Sequence, residues 1–273
     1  MGSGETGSYR IGEARFRDAS AELDRLRVQA ELAWPQELRA LVQHGLREDA
    51  TVLEAGCGPG FVTALLLEHV RGGSVTGLDL DSTMLAHARE LLAGSERVRF
   101  VEASASATGL PAESFDVVLA RFLLQHLPDV PAVLAELRRV LRPGGRLIVV
   151  DSDQAFDALF YPEPPFTGEL MRAVAEGQRL LGGDRYIGRR LPALIRDAGF
   201  SAIAVDAVVA HSVVVGRRPI RQIIPDQALD HMEADGLVSP ELAASARSYL
   251  ERIDSGEQDF EGMVLYVVVS GSA

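Results

Sequence analysis

The stretch Val52-Leu53-Glu54-Ala55-Gly56-Cys57-Gly58-Pro59-Gly60-Phe61 limits what this chain can become more than any other. Thr51 to Ala55 reads as a short buried strand with an acid near its C-terminal end. Gly56, Gly58 and Gly60 form a tight turn, and residues 62–70 read as a helix. Strand, glycine turn and helix start make the nucleotide-binding corner of a doubly wound α/β fold. Glycine lets the backbone approach a ligand closely and reach positive φ without steric cost.

A dinucleotide turn reads G-x-G-x-x-G, with its third glycine five positions after the first. Here the third glycine comes one position early, and Phe61 stands in its place. Glu54 precedes the turn, where a carboxylate would repel a pyrophosphate and suit an ammonium group. Both features disfavour an NAD-dependent oxidoreductase. Ser74 to Asp79 reads as the second strand and ends on an acid 19 residues past Gly60. A carboxylate there can accept from both hydroxyls of a ribose. Asp81 and Ser82 are better placed than Asp79 to cap the next helix, whose apolar stripe runs through Met84, Leu85, Ala88, Leu91 and Leu92.

Arg97 to Glu102 reads as a third strand, followed by a loop to Pro111. Ser114 to Ala120 is a fourth, followed by Arg121-Phe122-Leu123-Leu124-Gln125-His126-Leu127-Pro128-Asp129. Asp129 caps a helix that Arg142-Pro143-Gly144-Gly145 stops, and Arg146 to Asp151 is a fifth strand. The E-x-G-x-G-x-G turn, the acid after strand two, the His-Leu-Pro-Asp segment and the L-R-P-G-G-x-L segment together resemble the class I S-adenosylmethionine-dependent methyltransferases. The resemblance is continuous from Thr51 to Asp151.

That resemblance implies an α/β, Rossmann-like sheet of seven mostly parallel strands, the last antiparallel. It implies S-adenosyl-L-methionine as cofactor, S-adenosyl-L-homocysteine as its product, and no metal. It assigns cofactor binding to Glu54, Gly56, Cys57, Gly58 and Gly60, to Asp79, Leu80 and Met84, to Ser106 and Ala107, and to Arg121 and Phe122. Glu54 would serve the methionine portion and Asp79 the sugar. In that family the loop after strand three reads Asp-Ala-x-x-Leu-Pro, the aspartate accepting from the adenine amino group and the alanine N–H donating to the ring. Ser106-Ala107 occupies that place, so the side-chain acceptor carries no charge.

Three regions follow: 1–50, a polar tail and helical cap; 51–151, the cofactor-binding core; and 152–273, the rest of the core with a helical lid. In the first, Ala19 to Gly45 reads as helix interrupted at Pro35, and Tyr9, Phe16 and Arg25 are candidates to close over the cofactor. In the last, Ser152 to Pro165 reads as an irregular loop, Thr167 to Leu181 and Arg189 to Ala198 as helices, and Phe200 to Val215 as strand six. Helices at 219–234 and 239–253 precede a final strand at 262–270. The 217–256 insertion reads as a lid over the acceptor site or, alternatively, as a dimer surface.

A net charge of −12 opposes nucleic-acid binding, which needs a basic footprint; Arg217, Arg218 and Arg221 are the nearest thing to one. No run of apolar residues is long enough for a membrane span. Cys57 is the only cysteine, which fits a reducing cytoplasm. It reads as a small turn residue rather than a nucleophile.

The acidic balance, the insertion and the lack of a recognition module point to a small-molecule acceptor in natural-product metabolism. Methyl transfer mostly requires positioning and exclusion of water. A phenol or acidic carbon also needs a general base. His126 is the first candidate, with Tyr161, His211, Tyr186 and Asp153 behind it, and Arg121 could bind a carboxylate. Two alternatives remain: a member of the fold that cyclises or decarboxylates, and a non-catalytic partner that binds the cofactor.

Overall fold

The computed structural model describes residues 19–156, 159–222 and 226–273. Tyr9 and Phe16 lie outside them. Among the described residues two helices come first, α1 (Ala19–Glu31) and α2 (Trp34–Gln43). Pro35 sits in the first turn of α2, where its missing N–H is no loss. The chain then alternates through β1 (Thr51–Ala55), α3 (Phe61–His69), β2 (Ser74–Asp79), α4 (Ser82–Leu91) and β3 (Val98–Glu102). It continues through β4 (Phe115–Arg121), α5 (Val130–Val140) and β5 (Leu141–Ser152).

Beyond β5 lie β6 (Leu159–Tyr161), α6 (Thr167–Leu180), α7 (Leu191–Asp197) and β7 (Ser201–His211). Among the described residues, α8 (Ser212–Val215), α9 (Arg217–Gln222), α10 (Asp226–Ala234) and α11 (Pro240–Ser255) lead to β8 (Glu261–Ser272).

Strands β3, β2, β1, β4 and β5 lie side by side in that order and are parallel. β8 runs antiparallel between β5 and β7. The order reverses where β1 meets β4, and ligands of such sheets bind in the crevice outside the strand C-termini at that point. Side chains alternate between faces along each strand. Val52, Val117 and Leu119 pack with Leu41 and Leu66 on one side. Leu53, Val118 and Ala120 pack with Leu134, Leu137 and Ile195 on the other. A third cluster joins α6 to α10 and α11 through Ala173, Leu229, Met232, Leu242 and Ala246.

Among the described residues the sheet has eight strands where the sequence suggested seven. β5 pairs with β8 only from Tyr266 onward, so the first residues of β8 need another partner on that edge. β6 supplies it, pairing Leu159 with Met263 and Tyr161 with Glu261, within the stretch read as irregular. The sixth expected strand also ends early. His211 Nδ1 accepts from Val213 N at 3.1 Å, and this cap turns Ser212–Val215 into helix despite their β-branched side chains. No described helix is long and apolar enough to cross a membrane.

Between α3 and β2 the chain passes so close to the start of β1 that a Cβ on Gly73 would lie 2.0 Å from Ala50 O. Gly73→Ala is expected to cost about 3 kcal/mol in urea unfolding. A loss below about 0.5 kcal/mol would contradict this packing.

Candidate active site

The turn after β1 is tied to β2 by backbone bonds. Gly56 N and Cys57 N both donate to Leu78 O, at 2.7 and 3.0 Å. Gly56, Gly58 and Gly60 have φ of 75°, 52° and 83°, values that side chains disfavour. A Cβ on Gly56 would strike Leu123, and one on Gly60 would strike Ala88, each at 2.9 Å. A Cβ on Gly58 would meet nothing within 4 Å. That glycine therefore borders open space at the carboxyl edge of the sheet. Cys57 packs inward, its Sγ 2.9 Å from where a Gly77 Cβ would be. Burial pushes its thiol far up, which removes it as a nucleophile at neutral pH.

Asp79 Oδ2 accepts from Gly58 N at 2.8 Å, and Oδ1 accepts from Asp81 N at 2.9 Å. The Leu80 N–H also acts on this carboxyl, and a carboxylate with about four acceptor sites keeps room for a further donor. Burial holds this carboxyl above the usual aspartate range. Asp81 caps α4, accepting from Thr83 N and Met84 N. Leu80 is half exposed beside Asp79, and Met84 is buried on α4. Glu54 is 2% exposed, and Thr63 Oγ1 of α3 donates to its Oε2 at 2.5 Å. Burial raises its pKa to about 8, against the opposing Thr63 bond and the positive charge of Arg121.

Arg121 ends β4 and is buried. Its Nε and Nη2 donate to the two oxygens of Glu37 at 2.7 and 3.1 Å, and Nη2 also donates to Gln29 O at 3.0 Å. The strand end is thereby fastened to both N-terminal helices. Phe122 follows with φ 49°, its ring 4.7 Å from the Arg121 guanidinium and 4.8 Å from the Tyr266 ring. In the loop after β3, Ser104 Oγ and Ser106 Oγ lie 2.9 Å apart, and Ala107 N donates to Ser104 O at 3.1 Å. The backbone N–H expected to meet an adenine ring thus closes a turn here.

His126 ends a 3-10 turn (Leu124–His126) after β4. Burial first, then the charges of Arg185 and Arg25, push its pKa down to about 3. Its neighbour Gln125 donates its N–H to Asp151 Oδ2 at 3.2 Å, and burial raises Asp151 to about 7.

The other named side chains are engaged elsewhere. Asp153 is bonded to Arg189 through both oxygens, His211 caps α8, and Arg25 pairs with Glu22. Tyr161 is 77% exposed and Tyr186 lies under Arg189. Arg217 pairs with Asp259 and Glu261, and Arg221 with Asp254. The sequence reading missed Glu37, Thr63, Asp151 and Tyr266. Asp151 alone left a signal: an acid closing an apolar strand, as Asp79 does.

An adenosyl amino acid fits these residues. Gly58 borders open space, Asp79 offers lone pairs to ribose hydroxyls, and the buried Glu54 carboxyl suits a cation.

Comparisons with known proteins agree with that chemistry. The profile of a family described as "Methyltransferase domain" matches residues 53–149. A demethylmenaquinone methyltransferase of Lactococcus lactis is 31% identical over 188 residues, covering 62% of this chain and 75% of the relative. An uncharacterized protein in transposon TN4556 of Streptomyces fradiae is 29% identical over 264 residues, covering 96% of this chain and 74% of its own length. Among solved structures, phosphoethanolamine N-methyltransferase 2 of Haemonchus contortus, in complex with S-adenosyl-L-methionine, shares the fold. Its TM-score is 0.56 at 18% identity, over 88% of this chain and 52% of that one.

Glu54 binds a proton in the folded protein that it releases in the unfolded chain, between its ordinary value of 4.5 and its folded value of about 8. Across that window rising pH therefore lowers stability. Glu54→Gln removes the effect. Its melting temperature relative to wild type should be higher at about pH 9 than at about pH 5, by 2 °C or more. A difference independent of pH would contradict the protonated carboxyl.

Proposed function

This chain belongs to the class I S-adenosylmethionine-dependent methyltransferases, and we propose that it methylates a small molecule with an aromatic or quinone-like body. The observation that carries the proposal is a set of aromatic rings at the end of β4 and along β6 and β8, of which Phe122 and Phe160 are partly exposed. Phe122 meets Tyr266 edge to face, and Phe160 meets Phe260 at 5.8 Å. Such rings favour a flat apolar acceptor and a cationic centre beside it. The demethylmenaquinone methyltransferases among the relatives support a quinone-like acceptor. The long helical insertion and acidic surface support a role in natural-product biosynthesis.

S-adenosylmethionine supplies a methyl group already activated on a sulfonium. The protein's part is to hold the two reactants in line and keep water away. In this reading Gly56, Gly58 and Gly60 let the backbone approach the cofactor, Asp79 accepts from the ribose hydroxyls, and Glu54 balances the positive charge of the methionine portion. Leu80 gives the adenine an apolar surface. Ser106 with its hydroxyl takes the place of a charged acceptor. The α9–α11 insertion covers the acceptor.

His126 takes the acceptor proton. At a pKa of about 3 it is neutral throughout the physiological range, and it matches a proton that becomes strongly acidic as a hydroxyl is methylated. A phenol or hydroquinone oxygen has that property.

Three outcomes follow. Incubation with methyl-labelled cofactor and a panel of phenols, hydroquinones, amines, peptides and RNA should place label in a phenol or hydroquinone. Label appearing only in peptide or RNA would overturn the acceptor class. Asp79→Asn should weaken binding of S-adenosylhomocysteine about tenfold or more by calorimetry; an unchanged affinity would remove Asp79 from the site. His126→Asn should lower kcat about a hundredfold, while wild-type kcat/KM shows no histidine inflection near pH 6.5. An inflection there that the substitution abolishes would contradict the depressed pKa.

A further inference from the structure

A groove of about 720 Å³ lies between the start of α5 and the segment joining α6 to α7. No residue of the glycine turn lines it, and neither Asp79 nor Arg121 does. Its floor is apolar, built from Leu127, Pro128, Val130 and Leu194. Among the described residues its walls carry Arg172, Arg179, Arg185 and Arg190 against two acids, Glu176 and Asp184. A chain of net charge −12 thus concentrates positive charge around a hydrophobic hollow.

The helical spacing makes this a designed face. Arg172, Ala175, Glu176 and Arg179 stand at i, i+3, i+4 and i+7 of α6, one stripe turned to the groove. Among the described residues Arg172 makes a single hydrogen bond, from Nε to Gly168 O at 3.1 Å, so both terminal nitrogens are available. Arg179 meets Glu176 at 2.7 Å and Arg190 meets Asp184 at 2.5 Å. Both arginines are well exposed, and pairs of this kind contribute little and exchange readily with a competing anion.

The walls are also fixed before any ligand arrives. Arg185 donates to Gln154 Oε1 at 2.9 Å and to Gln125 Oε1 at 3.2 Å. Gln178 Nε2 donates to Gln125 O at 2.6 Å, and Asp184 N donates to the same oxygen at 2.8 Å. A Cβ on Gly183 would come within 2.5 Å of Gln125 O, so the loop lies directly on the turn after β4. Prior fixing of this kind reduces the ordering that binding requires.

We propose that this groove binds a small amphipathic oxyanion, an apolar ring or chain on the Leu127–Val130 floor with its carboxylate or phosphate held by Arg172 and Arg179. A guanidinium presents paired N–H donors that match two oxygens of either head group. The groove's volume falls in the range of clefts that take small organic ligands. The site is separate from the cofactor cleft, and the proposal does not rest on the identity of the methyl acceptor.

The test is calorimetry on the full chain saturated with S-adenosylhomocysteine, titrated with naphthoate, naphthyl phosphate and the neutral naphthalenemethanol. At least one anion should bind, with the alcohol about tenfold weaker or more. The variant carrying Arg172→Glu and Arg179→Glu should weaken the anion about tenfold or more, while its affinity for S-adenosylhomocysteine stays unchanged and reports an intact fold. Arg27→Glu, a charge reversal on α1, should leave anion binding as it was. Binding of only one anion also supports the site and names its head group. Absence of binding by both anions, equal binding of the alcohol, or undiminished binding by the double variant would each overturn the proposal.

Discussion

The hydrogen bond from Gly58 N to Asp79 Oδ2, at 2.8 Å, is the constraint on which the cleft depends. It joins the turn after β1 to the end of β2, so two strand ends and a helix start become one rigid corner. The turn must be glycine to reach its φ values and to clear Leu123 and Ala88. In the proposed cofactor site the carboxylate that closes the corner also receives the ribose hydroxyls. On that proposal one side chain serves both structure and recognition, and a change at Asp79 would disturb both.

Around that corner the chain buries ionisable groups, which is costly unless each finds a partner. Arg121 and Glu37 solve this as a pair, with side chains 7% and 0% exposed. Removing either member would strand the other charge, a loss of about 3–5 kcal/mol. The pair also fixes α2 over the strand ends. Glu54 finds a different solution: with Thr63 as its hydrogen-bonding side chain among the described residues, it keeps its proton near neutral pH. An arriving cation would favour release of that proton, which is the role proposed for Glu54 toward the methionine portion of the cofactor.

How much of this was legible follows from how local each cause is. β1, β2 and β4 are short apolar runs buried on both faces, and their glycine and acid punctuation fixed the order strand, turn, helix. α11 announced itself through Ser239, whose Oγ accepts from Leu242 N, and Pro240 in the first turn. β6 has three residues, too few to show a period, and exists because β8 outruns β5. Val213 and Val214 read as strand, yet one cap from His211 decides otherwise.

The Arg121–Glu37 pair spans 84 positions and leaves no mark on either local pattern. The turn that uses the Ala107 N–H depends on Ser104, whose role only the folded loop shows. The protonation of Glu54 and His126 depends on burial, which the whole fold sets.

The most direct measurement is a crystal structure of the full chain with S-adenosylhomocysteine bound. The account predicts the thioether along Gly56–Gly60 at the carboxyl edge between β1 and β2, with both ribose hydroxyls on Asp79 and the amino acid end toward Glu54. Density for the product in any other part of the molecule, or a ribose turned away from Asp79, would contradict it.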